Sequence, residues 1–427
     1  MAVLILLGSF FLLLLIRMPI AFSLALSSIF TALFLGIPVA AVFQRMVNGV
    51  NKVSLLAVPF FIFAGQLMGA GGISKRLVDL SNIMVGRFRG GLAQVNILTS
   101  MFFGGISGSS VADTSSIGAI MIPMMKKDGY DADFATSVTI SSSTQGILIP
   151  PSHNMIIYAL AAGVNISVGM MFLGGLVPGV VLGVSMMIMT WFISMKRKYP
   201  KGEKIGIKDS LRIIKDAVLG LLTPVIIVGG VITGVFTATE SAAIACFWSF
   251  IVSFFIYREI PLREFSPIMK RTLKTLIIVL PVIAAANAFG FMLAYLRLPK
   301  IASEFLLGLT TNKYLILLIM NMILLVLGMI MDMAPLIMIC TPILLPVAIS
   351  VGLHPVHFGI VMMLNLAIGL ITPPVGVTLF VGSSIGKSSI EKVAKANMPF
   401  YVLMFGVLLL ITYIPPIVMW LPNMIMG

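Results

Sequence analysis

The chain has 427 residues, of which 59% are hydrophobic and only 10% charged, and its mean hydropathy of +1.13 excludes a water-soluble globular protein. A formal net charge of +14 does not point to nucleic acid, because the basic residues lie in short links between apolar runs. Cys246 and Cys340 both sit inside apolar segments, which argues against a disulfide framework or a thiolate metal site.

The opening stretch MAVLILLGSFFLLLLIRMPIAF lacks a basic leading region and an A-x-A-type cleavage site, so 2–16 is read as a first transmembrane helix. Further apolar runs of spanning length occupy 19–38, 53–71, 169–195, 217–235, 240–257, 275–293, 316–327 leading into 334–349, and 398–420. Together these predict about ten to twelve helical crossings, some of them broken. Three basic clusters assign their links to the cytoplasmic side. They are Lys75, Arg76, Arg87 and Arg89; then Lys196, Arg197, Lys198, Lys201, Lys204, Lys208, Arg212 and Lys215; then Arg258, Arg263, Lys270, Arg271 and Lys274. The uncharged turn AGVNIS (162–167) falls on the opposite side.

A constant offset of 223 residues carries Gly105 onto Gly328, Pro123 onto Pro346, Gly129 onto Gly352, Gly146 onto Gly369, Pro150 onto Pro373 and Pro151 onto Pro374. The matched flanking loops differ in charge: neutral 162–167 corresponds to IGKSSIEKVAK (385–395), with Lys387, Lys392 and Lys395. The two repeats are therefore expected to be inverted in the membrane, a plan common among secondary transporters.

Within each repeat, Pro150-Pro151 and Pro373-Pro374 remove helical donors and push Ile149 and Thr372 out of the helical region, so each helix must break there. Freed carbonyls cannot face lipid, and the breaks are expected to line an enclosed, hydrated cavity. Each break follows a second unusual stretch, FGGISGSSVADTSSIG (103–118) or LGMIMDMAPLIMICTP (327–342), read as a hairpin that enters the membrane and turns back. Around the breaks lie TISSSTQG (139–146) and LNLAIGLITPP (364–374). These segments supply carbonyls and the side chains of Ser107, Ser109, Ser110, Ser142, Ser143, Thr144, Asn365, Thr372 and Thr378. Such oxygen groups suit a hard cation, and one ion site per repeat is expected between hairpin tip and break; the alternative is that they only aid close helix packing. Asp113 is expected to cap the second helix of the first hairpin, and Thr237 or Thr239 to cap a helix whose first turn holds Glu240. His153 follows the first proline pair, as a structural hydrogen-bonding group or a proton carrier, and His354 and His357 fall in an outside loop. With no P-loop, nucleophile elbow or metal-enzyme spacing, the energy for transport is expected from an ion gradient.

GGISGSSVADTSSIG, GILIPPS, GVFTATESAA, MAPLIMICTPILLP and ITPPVGVTLF, in that order, resemble the large membrane subunit of tripartite ATP-independent periplasmic (TRAP) transporters over essentially the whole chain. The resemblance implies an all-α polytopic membrane protein of the elevator type, with inverted repeats, two re-entrant hairpins and two broken helices. It implies sodium-driven import of an organic acid across the bacterial cytoplasmic membrane, with sodium as coupling ion and no cofactor. The ligand classes handled by the family are four-carbon dicarboxylates, sialic acids, sugar acids and keto acids. Implied partners are a small four-helix membrane subunit and a periplasmic substrate-binding protein. Residues 91–168 and 316–390 would be mobile, 1–90 and 169–315 mostly scaffold, and 391–427 a C-terminal helix. By motif, Gly105, Ser107, Ser109, Ser142 and Thr144 would surround a first sodium, and Gly328, Asp332, Asn365, Gly369 and Thr372 a second. Ser110, Ser143, Ser152, Asn154 and Thr378 would hold the substrate with the half-helix amino ends, and Arg297 could reach in from the scaffold. Two other readings stay open: a stand-alone ion-coupled anion carrier or antiporter, and an intramembrane enzyme, for which no cluster of catalytic groups is found.

Overall fold

The computed structural model describes residues 1–163, 166–202 and 205–426; Val164 and Asn165 of the neutral turn and Lys204 of the central basic cluster lie outside the described residues. Among the described residues the chain is helical throughout, with one isolated bridge between Arg89 and Lys201. Five helices open it: α1 (Ala2–Leu15), α2 (Ile20–Phe34), α3 (Val39–Val50), α4 (Ala57–Ala70) and α5 (Ile73–Val85). The first repeat comprises α6 (Gly91–Ser107), α7 (Ser110–Lys127), α8 (Ala132–Ser143), α9 (Gln145–Leu148) and α10 (His153–Ala161). Between the repeats run α11 (Val168–Lys196), α12 (Ile207–Ile232), α13 (Ala238–Ile251), α14 (Phe265–Tyr295) and α15 (Leu298–Leu309). The second repeat is α16 (Lys313–Gly328), α17 (Met333–Ser350), α18 (Pro355–Leu370) and α19 (Val377–Gly386), and the chain closes with α20 (Ile390–Ala396), α21 (Met398–Tyr413) and α22 (Pro415–Met426).

Fewer helices cross unaided than the apolar runs predict. Five are long and apolar enough, over Val53–Ala70, Val168–Lys196, Ala238–Ile256, Leu262–Tyr295 and Met333–Ser350, and the bent pair α20–α21 makes a sixth. The opening runs form helices of 14 and 15 residues, about 21–23 Å long and short of the roughly 30 Å hydrocarbon core. Pro19 and Pro38 stand immediately before α2 and α3, where a missing donor costs no helical bond. The run 398–420, expected as one helix, divides at Ile414 because Pro415 and Pro416 cannot donate to the preceding turn.

Element boundaries reproduce the 223-residue register. The second hairpin helices run from Ser110 to Lys127 and from Met333 to Ser350; the broken helices start at Ala132 and Pro355. Between them the turns are made at Gly129 and Gly352, with φ of 87° and 86°. The inversion is visible in two reciprocal contacts. Lys126 Nζ, next to the first repeat's turn, donates to Gly386 O at the end of the second repeat (3.3 Å). Tyr158 Oη, near the end of the first repeat, donates to Pro355 O beside the second repeat's turn (2.6 Å). Each repeat thus places its turn where the other ends.

The basic links gather at one face. Arg76 pairs with Glu259 (3.1 Å) and stacks on Tyr257 (3.7 Å to the ring centroid). Gly90 N donates to Pro200 O (3.0 Å), and Arg197 pairs with Asp131 (2.8 Å), which also accepts from Tyr199 Oη (2.6 Å). Burial, then the hydrogen bond to Asp131, pushes the Tyr199 hydroxyl up to about 12, so it stays a donor at neutral pH. This agrees with the cytoplasmic orientation inferred from charge. Glu240 reads as expected, in a capping box in which Thr237 Oγ1 accepts from Glu240 N (3.2 Å) and Glu240 Oε2 accepts from Thr237 N (2.8 Å). Thr239 instead donates to Val53 O (3.2 Å). His357, expected in a loop, lies inside α18, where its Nε2 is 2.7 Å from Ile411 O; His354 alone is at the turn, as the N-cap of α18. The helix starts earlier than expected because Pro355 suits its first position.

Since both turn glycines are exposed, with open space where a Cβ would go, their demand is conformational alone. Gly129→Ala and Gly352→Ala should each cost about 1 kcal/mol, a lower thermal midpoint in detergent with the fold retained.

Candidate transport site between two hairpins and two helix breaks

The first hairpin is α6–α7, turning through Gly108 (φ 58°) and Ser109; the second is α16–α17, turning through 329–332. Glycine sets how closely each hairpin approaches its broken helix. A Cβ on Gly104 would strike the Gly146 backbone, and one on Gly105 would lie 2.9 Å from Pro150 O. In the second repeat, a Cβ on Gly369 would lie 2.5 Å from the carbonyl carbon of Gly328. Backbone meets backbone at both places, which leaves no room for a side chain.

Each tip is also stitched to its break. Asn154 Nδ2 reaches Gly108 O (3.5 Å), and Val375 N donates to Met329 O (3.1 Å). The breaks themselves span Ile149–Ser152 and Ile371–Gly376. They differ in setting. Pro150, Pro151 and Ser152 are buried, with Gly175 and Gly179 of α11 against Leu148 and Ile149, whereas Pro373, Pro374 and Val375 are exposed. The expectation that both breaks are enclosed therefore holds for the first alone; Pro373 to Val375 of the second lie at the surface.

Of the substrate candidates, Ser110, Ser143 and Thr378 come together. Ser110 Oγ is 2.7 Å from Ser143 Oγ and 3.1 Å from Thr378 Oγ1, and all three are buried. This contact joins the first hairpin and first broken helix to the amino end of α19, the half-helix of the second repeat. Ser152 and Asn154 lie across the first break at the start of α10, and Ser152 Oγ is buried without a partner. Arg297 stands apart from them, before α15.

Around the first break, Ser142 Oγ lies 3.1 Å from Ser100 Oγ. Ser142, Ser143 and Thr144 donate to Thr139 O, Ile140 O and Ser141 O at 3.0, 2.8 and 2.6 Å. A hydroxyl that spends its proton on the preceding turn keeps its lone pairs free for a cation. Ser107 Oγ is 3.4 Å from Ser109 O at the tip. Around the second break, Asn365 Nδ2 donates to Asn321 O (2.8 Å) and lies 3.0 Å from Asn321 Oδ1; Asn365 Oδ1 is buried and unpartnered. Thr372 Oγ1 donates to Ile368 O (2.6 Å). Asp332 is the exposed N-cap of α17, the position Ser109 holds in α7. No hydrogen bond among the described residues joins Asp332 to Asn365 or Thr372.

Asp113 does not cap α7. Ser109 Oγ does so, accepting from Ala112 N (3.4 Å), while Asp113 sits a turn further in, fully buried, with both carboxylate oxygens unpartnered. The hydroxyl ahead of the helix reaches the free amide first, and the carboxylate faces inward. Sequence reasoning missed Ser100, Asn321, Asn397 and Tyr401. Asn321 had a legible signal, as a lone amide inside KYLILLIMNMILLVLG.

Interlocked inverted repeats with paired re-entrant hairpins define a polytopic membrane protein. A family model described as "Tripartite ATP-independent periplasmic transporter, DctM component" matches residues 7–417. The chain belongs to this DctM family and is a membrane permease component. It is 41% identical to protein YgiK of Salmonella typhimurium, covering 99% of this chain and 97% of that one. It is 39% identical to the C4-dicarboxylate TRAP transporter large permease protein DctM of Vibrio cholerae, covering 96% and 95%. Among solved structures, the YdaH transporter of Alcanivorax borkumensis superposes with a TM-score of 0.65 over 87% of this chain and 88% of that one, at 14% identity, a likeness of fold.

Because the Gly328–Gly369 approach is backbone on backbone, Gly369→Ala should separate hairpin from break. The expected result is a cost of about 2 kcal/mol or more, seen as a lowered thermal midpoint. Gly406→Ala, where a Cβ meets nothing, should leave it unchanged.

Proposed function

We propose that this chain is the large membrane subunit of a sodium-coupled importer of a small organic acid, working by an elevator movement with a small membrane subunit and a periplasmic binding protein that delivers the ligand. The observation that carries this reading is the meeting of both repeats at Ser110, Ser143 and Thr378. A ligand held there touches a hairpin, a broken helix and a half-helix at once, so its binding can report on both repeats. Half-helix amino ends carry partial positive charge and suit a carboxylate. The relative named for C4-dicarboxylates puts such acids first among the classes to try.

For sodium, the fit rests on oxygens that the protein leaves unused. Asn365 Oδ1 beside the second break has no partner in the fold, the Thr144 hydroxyl donates to Ser141 O and keeps its lone pairs, and Ser142, which accepts from Ser100 once its own proton goes to Thr139 O, keeps one. Gly105, Ser107 and Ser109 complete the first set; Gly328, Asp332, Gly369 and Thr372 complete the second, with Asp332 reaching it only if the tip closes. The mobile part in this reading is 91–168 and 316–390, extended by α11, which lies along α6, α9 and α18. Residues 1–90 and α12 to α15 form the scaffold. Asp113 supports a second reading, proton coupling, because its buried carboxylate has no hydrogen-bond partner.

Thermal unfolding of the purified chain in sodium against potassium or choline at equal ionic strength tests the ion. A saturable, sodium-specific rise is expected, and Asn365→Leu should remove most of it while membrane insertion is retained. No sodium-specific rise would overturn sodium coupling and bring Asp113 and His153 forward. Replacing Pro150-Pro151 by Ala-Ala should let the helix close and abolish sodium-driven uptake; unchanged uptake would contradict the role of the break.

A further inference from the structure

Helices α20 and α21 belong to neither repeat, yet between them they reach both broken helices, α20 packing on α8 and α21 on α18. Asn397 stands where α20 bends into α21 by 55° and is fully buried. Its Oδ1 accepts from Ser137 Oγ (2.7 Å) and Ser141 Oγ (2.6 Å), on successive turns of α8 just before the hydroxyl run Ser142–Thr144. Tyr401 lies four residues on, on the same face of α21. Its hydroxyl donates to Ile371 O (2.6 Å), the carbonyl freed at the second break, and lies beside the side chains of Thr372 and Asn397.

These contacts tie one face of the α20–α21 bend to both breaks, through Ser137 and Ser141 at Asn397 and through Ile371 at Tyr401 one turn on, with Asn397 Nδ2 buried between them and unpartnered. A buried amide and a half-buried phenol are costly unless hydrogen-bonded, and apolar side chains would serve if the bend needed only to pack. Both groups instead hold atoms next to residues assigned above to ion binding. Ser141 O is the acceptor that orients the Thr144 hydroxyl (2.6 Å), and Ile371 O fixes the peptide leading into Thr372.

We propose that Asn397 and Tyr401 are positioning residues that couple the two ion sites, so that filling one orders the other. The proposal rests on the sodium reading above. Coupling between sites is a free energy shared by both ligands, and here its carrier is one helical element, the α20–α21 bend, hydrogen-bonded to α8 at Asn397 and to the second break at Tyr401.

The test is equilibrium binding of radioactive sodium to the purified chain and to its variants. The unsubstituted chain should bind with a Hill coefficient above 1. Tyr401→Phe, which removes only the hydroxyl, and Asn397→Leu should bring the coefficient down to about 1 and raise the half-saturating concentration about fivefold, the effect of one lost hydrogen bond. Asn397→Asp keeps an oxygen acceptor for Ser137 and Ser141 and should restore cooperativity, which separates coupling from simple loss of packing. A Hill coefficient of 1 in the unsubstituted chain, or an unchanged coefficient in Tyr401→Phe, overturns the coupling alone. No saturable binding in the unsubstituted chain overturns the sodium reading with it.

Discussion

Everything in this protein follows from one constraint: backbone groups freed inside a membrane must find partners in the protein, since lipid offers none. Each proline pair deletes donors in the middle of a broken helix, and the fold answers with the same devices in both repeats. A re-entrant hairpin is brought within backbone contact by glycine, at Gly104 and Gly146 in one repeat and at Gly328 and Gly369 in the other. One hydrogen bond then ties tip to break on each side.

Inversion turns two such arrangements into one centre. Because each repeat's turn lies against the other's end, through Lys126 with Gly386 and Tyr158 with Pro355, the broken helices run past each other. Their interrupted segments are brought to the same region, and Ser110 touches Thr378 across the repeats. The two halves are not equal, however. The first break is buried against α11, whereas Pro373 to Val375 of the second are exposed. The two breaks thus differ in cover without any difference in the repeat register.

Much of this was legible in the sequence because Gly and Pro act through the backbone, where a residue type dictates local geometry. The constant offset carried from Gly129 to Gly352 and from Pro150 to Pro373 into the coordinates unchanged, and the Thr237–Glu240 box was readable as a short-range pattern. What failed depended on three-dimensional contacts. Asp113 was read as a cap because it lies near a helix start, but Ser109 reaches the free amide first. The bend that carries Asn397 and Tyr401 ties α8 to the second break from outside both repeats, so no local pattern announced it. Helix lengths were overestimated at 398–420 because hydropathy is blind to the donors that Pro415 and Pro416 lack.

The central proposal is that sodium binding orders the junction of the two repeats at Ser110, Ser143 and Thr378. Thiol labelling in native membranes tests it directly, using Ser110→Cys in a chain whose Cys246 and Cys340 are replaced by Ala. Ser110 is buried at the junction, so reagent reaches it only when hairpin and half-helix part. The account predicts measurable labelling in potassium and marked protection in sodium; equal rates in the two salts, or no labelling in either, would contradict it.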